Sequence, residues 1–166
     1  MIKNASKAQI IVASLLIILF LVNLISTPFW RIAHDSVLIQ YMALLIDEFG
    51  YIPYKEVFDT AFPGTVILHL FIGKIFGHSE AGMQYFNTLL IILIAFFNFV
   101  YLKQLPLVSR LVSSVFFLII YQSFGHEMSL ERDFTVCFFI SMALAITQIN
   151  FHETIRYLLI GLISGI

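Results

Sequence analysis

The chain has 166 residues, 60% of them hydrophobic, 16% aromatic and only 11% charged, with a formal net charge of −1 and a mean hydropathy of +0.97. This composition excludes an ordinary soluble domain, and no nucleic-acid partner is expected. The expected fold class is all-α, a polytopic helical membrane protein whose long first outer loop forms interfacial helices.

A helix needs roughly 20 apolar residues to cross the hydrocarbon core of a bilayer. The first such run is Ile10–Ile25, preceded by Lys3 and Lys7. It lacks an A-x-A-like exit and is longer than most signal-peptide cores, so it reads as a retained span. A polar stretch follows. Residues Phe29 to Gly64, FWRIAHDSVLIQYMALLIDEFGYIPYKEVFDTAFPG, carry five acids, two bases, a histidine and two prolines in an otherwise apolar chain. A loop of this length without its own core is usually functional.

Within that loop Leu38, Tyr41, Met42, Leu45 and Phe49 fall at helical spacing, Asp35 or Ser36 can cap the start, and Gly50 can end the helix in the left-handed conformation. A helix this apolar is expected to lie along the membrane surface. Tyr51-Ile52-Pro53-Tyr54 is expected to run extended, because Pro53 disfavours helix at Ile52. Asp59 or Thr60 can cap the next helix, with Pro63 in its first turn. That helix, Pro63–Phe76, reaches only about 21 Å and contains Lys74, so it reads as interfacial or re-entrant.

Further runs are Met83–Leu102, Leu111–Phe124 and Phe134–Ile149, separated by a basic turn with Lys103 and Arg110 and by an outer loop at 125–133. A fifth run begins near Ile155 and stops at Ile166, an incomplete span, so the chain reads as truncated. If Pro63–Phe76 does not cross, Lys3, Lys7, Lys103, Arg110 and Arg156 lie on the cytoplasmic side, in accord with the positive-inside rule. Nine of the ten acids, all except Glu153, then lie in the outer loops at about 26–82 and 125–133. Cys137, the one cysteine, lies inside a run, which excludes a disulfide framework or a zinc site of cysteines. Asn23 and Asn98 are expected to bond between helices, and His69 to be a neutral, hydrogen-bonded histidine.

The order of a first span, an HD pair, a surface helix ending in Gly50, then Y-I-P-Y-K-E-V-F-D-T-A-F-P-G, a half-helix ending K-I-F-G and a long span resembles the start of the GT-C glycosyltransferases. The likeness is to the branch with the protein O-mannosyltransferases and the bacterial lipid A aminoarabinose transferase. Members often show G-x-P-Y-x-D-x-x-D-x-x-P-P here, and Gly50, Pro53, Tyr54, Asp59 and Pro63 match. Glu56 stands where Asp is common, and Gly64 replaces the second proline. The resemblance covers the family's first third and implies a multi-pass protein, in a bacterial inner or plasma membrane, that transfers a sugar from a polyprenyl-phosphate carrier to an acceptor on the extracytoplasmic face.

It also implies site residues. The first outer loop's acid matches at Asp35, and the second loop, G-H-E-M-S-L-E-R-D-F, offers Asp133, with Glu131 as the other choice. Asp35 is the candidate base for an attacking hydroxyl, shielded by Phe29 and Trp30. Arg132, then Lys55, are the candidate partners for the departing lipid phosphate, Arg because it donates two parallel hydrogen bonds. Some members bind a divalent metal, for which Asp35, His34 and Glu127 are the expected ligands, with His126 and Asp133 also at hand. The plainer readings are a helix cap for Asp35, neutralisation of Glu131 and Asp133 by Arg132, and a solvated or headgroup-contacting Lys55. The alternative function is a small transporter or a non-catalytic scaffold. The long runs lack Asp, Glu, Lys and Arg in their middles, which disfavours the transporter.

Overall fold

The computed structural model describes residues 6–29, 34–56, 63–124, 130–149 and 151–164, and the side chains among them other than those of 34–35, 121–124, 130–134 and 164. The elements among the described residues are all helices, as expected: α1 (Lys7–Ser26), a 3-10 turn at Thr27–Phe29, α2 (His34–Phe49), α3 (Pro63–Phe76), α4 (Glu80–Tyr101), α5 (Leu107–Phe124), α6 (Leu130–Thr147) and α7 (Glu153–Ser164). Two helical segments, Lys7–Phe29 and Glu80–Tyr101, are long and apolar enough to cross a membrane. Shorter apolar helices lie at Pro63–Phe76, Leu107–Ile120 and Thr135–Thr147. The chain falls into two compact units. Unit 1 is Met1–Ser26, Ile91–Gln122 and Val136–Ile166; unit 2 is Thr27–Leu90 and Ser123–Thr135.

In unit 2, α2 carries apolar residues on two faces. Ile39 and Met42 are buried against Val66 of α3, with Ile46 and Leu70 packed around them. Leu38, Tyr41 and Phe49, three of the five residues of the predicted stripe, stay more than half exposed. The buried face therefore lies about a quarter-turn from that stripe, because the partner helix α3 selects the Ile39 side. The end of α2 is where the sequence puts it: Gly50 has φ 70°, its N–H reaches the Ile46 carbonyl at 3.2 Å, and the Tyr51 N–H reaches Leu45 at 3.3 Å. Glycine meets this left-handed geometry without a side-chain clash.

The strap after α2 departs from the extended expectation. Ile52 to Glu56 close a turn in which the Lys55 and Glu56 N–H groups both reach the Ile52 carbonyl, at 3.3 and 3.0 Å. The Glu56 carboxylate accepts the Ile52 N–H at 2.8 Å, and Tyr54 takes φ 63°. Pro53 does keep Ile52 out of a helix, but local bonds from Glu56 fold the segment back on itself. Ser79 caps α4, its hydroxyl accepting the Gly82 N–H at 3.1 Å. A Cβ at Gly82 would lie 2.4 Å from the Gly77 carbonyl oxygen and 2.5 Å from that of Phe76, so this corner is closed by backbone against backbone.

Unit 1 buries Ala13 of α1, Ile91 and Ile94 of α4, Val115 and Leu118 of α5, and Ala145 and Ile146 of α6. Phe97 of α4 meets Phe138 of α6 with ring centroids 5.7 Å apart, an aromatic pairing that adds to the area they bury. One amide N–H of Asn23 donates to the Leu19 carbonyl of its own helix at 2.8 Å.

Candidate functional site

The described ion pairs of unit 2 lie at the C-terminal ends of α2 and α3. Asp47 sits on the last turn of α2, between the apolar face that packs on α3 and the exposed one. The Nε2–H of His78 donates to its Oδ2 at 2.9 Å, and the Lys74 ammonium lies 3.4 Å from its Oδ1. His78 is the buried member, its side chain 8% exposed against 21% for Asp47 and 66% for Lys74. Room for the imidazole comes from Gly73, where a Cβ would lie 2.0 to 2.6 Å from the ring atoms of His78. The hydrogen bond from His78 holds the Asp47 carboxyl below its ordinary value, with Lys74 adding to it against the opposing cost of desolvation.

This arrangement resolves an oddity of the sequence. Asp47 and Glu48 stand in the last turn of a helix with no base there, where the dipole disfavours negative charge. The Lys74 ammonium of α3 offsets that charge at Asp47 and His78, from the loop after it, adds a hydrogen bond, while Glu48 remains exposed.

The Asp47, Glu48 and His78 ligand atoms all lie within 4.8 Å of one another. The donor set fits a metal poorly. A histidine that binds a metal through Nε2 holds its proton on Nδ1 and usually donates it to an acceptor, whereas His78 Nδ1 is buried without a hydrogen-bond partner. Lys74 already supplies Asp47 with a positive charge, so the cluster is an ion pair, Lys74–Asp47, with His78 hydrogen-bonded to the carboxylate.

Among the sequence-selected site residues, Lys55 is fully described. It is exposed in the turn after α2 and has no ion-pair partner among the described residues. His34 and Asp35 form the first turn of α2, and Glu131, Arg132 and Asp133 the first turns of α6, but their side chains lie outside the described residues, as does Glu127 entirely. The expected metal ligands Asp35, His34 and Glu127 therefore fall there too. Phe29, expected to shield Asp35, is 84% exposed.

Sequence reasoning passed over His78, Gln40, Gln84 and Asn87. The last three are buried in unit 2, where Gln40 donates to the Ser79 carbonyl at 2.9 Å and Asn87 to the Gln84 side chain at 3.4 Å. A spacing signal existed only for Gln84 and Asn87, which share one face of α4 at i, i+3. His69, the histidine that the sequence does single out, is fully buried on α3. No family model, curated protein or solved structure matches this chain.

Proposed function

We propose that the chain belongs to a membrane glycosyltransferase that moves a sugar from a polyprenyl-phosphate carrier to an acceptor on the extracytoplasmic face. The observation that carries this reading is the form taken by the segment bearing the motif. A surface helix opens on His34-Asp35, ends at left-handed Gly50, turns at Ile52–Glu56 and gives way to a half-helix that starts at Pro63 and packs back on it. The exposed stripe of Leu38, Tyr41 and Phe49 suits a helix resting on lipid.

In this reading α1, α4, α5 and α6 are the spans, since 18 residues of helix reach about 27 Å, while the 14 residues of α3 fall short. In the same reading the N-terminus is cytoplasmic, the loops at 26–82 and 125–133 face outward, and the membrane is the bacterial inner or plasma membrane that the family resemblance implies. Asp35 takes the proton of the attacking acceptor hydroxyl as the new C–O bond forms at the anomeric carbon. The bond from that carbon to the phosphate oxygen breaks, and the electron pair leaves with the lipid phosphate. Arg132, or Lys55 from the turn after α2, neutralises that phosphate. Asp133, with Glu131 beside it, is the second-loop acid at the sugar. A divalent metal held by Asp35, His34 and Glu127 would add positive charge at the phosphate.

The test is transfer from a polyprenyl-phosphate sugar by the complete protein carrying Asp35→Asn. Asparagine caps a helix about as well as aspartate, so expression and melting should match the parent while turnover falls on the order of 100-fold, the usual scale for acid–base catalysis. Parental turnover would leave Asp35 a cap and remove the proposed base.

A further inference from the structure

Unit 1 holds an open groove of about 240 Å³, walled by Ile17, Phe20 and Leu21 of α1, Phe96 and Phe99 of α4 and Val115 of α5. Its one hydroxyl, that of Ser114, donates to the Arg110 carbonyl at 3.1 Å, so the walls are hydrocarbon and aromatic. A slot of this kind does not hold water. Beside α1 and α4, both long and apolar enough to cross a membrane, it suits a hydrocarbon chain.

One end of the groove is charged. The Arg110 guanidinium lies 3.7 Å from the centroid of the Phe99 ring that walls the groove, and it donates to the Phe99 carbonyl at 2.5 Å. Stacking on an aromatic face holds a guanidinium in place without neutralising it. No carboxylate pairs with Arg110 among the described residues. Other cations of unit 1 are also turned onto main-chain oxygens: Lys103 donates to the Gln148 carbonyl, and Arg156 to that of Phe151 at 3.4 Å. Across the sequence of unit 1, Lys3, Lys7, Lys103, Arg110 and Arg156 stand against a single acid, Glu153.

An apolar slot that ends at a fixed cation is complementary to a hydrocarbon chain joined to an anion. We infer that the groove binds an anionic phospholipid, with one acyl chain between α1, α4 and α5 and its phosphate at Arg110. The site uses none of the residues assigned to sugar transfer. It rests on the reading of α1 and α4 as spans and not on the transferase reading.

The test is native mass spectrometry of the full chain, stripped of lipid in detergent and offered phosphatidylglycerol or phosphatidylcholine with the same acyl chains. Phosphatidylglycerol should be retained in preference. Arg110→Gln should cut its retention about fivefold, the scale of one basic contact with an anionic lipid. Arg110→Lys should keep the preference, and Ala95→Trp, which fills the groove, should lower retention of both lipids. A parent without preference, parental retention by Arg110→Gln or by Ala95→Trp, or equal competition by chain-free glycerol phosphate would each overturn the lipid site. Flotation with phosphatidylcholine vesicles separates the two levels. A chain that floats but retains lipid without preference loses the site alone, whereas a chain that does not float loses the spans as well.

Discussion

His78 owes its position to an absence one helical turn before it. Gly73 leaves the space into which the imidazole packs, and the ring then reaches Asp47 at 2.9 Å. Gly73→Ala and Asp47→Asn should therefore break one contact from two sides. Each should lower the melting temperature, and their effects should fall short of additive because they remove the same interaction. Diethyl pyrocarbonate should modify His78 faster in both variants than in the parent, where the side chain is 8% exposed; an unchanged rate would mean the ring is held by something else. The pH dependence has a definite sign. Asp47 has its carboxyl held below its ordinary value of 3.8 in the folded state, so its contribution is complete above 3.8 and disappears as pH falls through the lower, folded value. The melting difference contributed by the Asp47 carboxylate, read between the parent and Asp47→Asn, should close as pH falls below 3.8 through the lower, folded value.

At the scale of the helix, α2 separates two uses of apolar surface. Met42 is 2% exposed in the contact with α3, while Leu38, one turn away, is 56% exposed. Met42→Ala should cost about 2–5 kcal/mol through the cavity it leaves. Leu38→Ala should stay within about 0.5 kcal/mol in detergent; thermal unfolding of the two variants distinguishes a packed face from a free one. Much of this element was legible in the sequence. Its span follows from apolar spacing, its end from Gly50, and the half-helix from Pro63 and the run to Phe76. Which face would be buried was not legible, because both sides of α2 are apolar and only α3 decides between them. The turn at Tyr54 was hidden for a related reason: a tyrosine at φ 63° has no local signature, and the bond from Glu56 that folds the strap looks in the sequence like any surface acid. The Asp47–His78 pair joins residues 31 positions apart, beyond the reach of helical or strand periodicity. Asp35 and Asp133 rest on a resemblance in the order of residues along the chain, and their side chains lie outside the described residues.

For the whole molecule, the decisive question is which loops share a side. Ala81 is exposed at the start of α4 and Ser109 is exposed in the first turn of α5, with the length of α4 between them. A cysteine at Ala81 should react with a membrane-impermeant maleimide from outside intact cells, and one at Ser109 only after the membrane is opened. Labelling of both from outside would remove α4 as a span and with it the shared outer face of the acidic loops. In the proposed orientation those loops carry Asp35, Asp47, Glu48, Glu56, Asp59, Glu80, Glu127, Glu131 and Asp133 against Arg31, Lys55, Lys74 and Arg132, so 4 − 9 leaves a net −5. A cell interior held electrically negative drives such a load outward, by about 2.3 kcal/mol per charge for each 100 mV, or roughly 11 kcal/mol for the set. Membrane voltage thus becomes an orienting force: it assists the acidic loops across as the chain inserts and opposes their return.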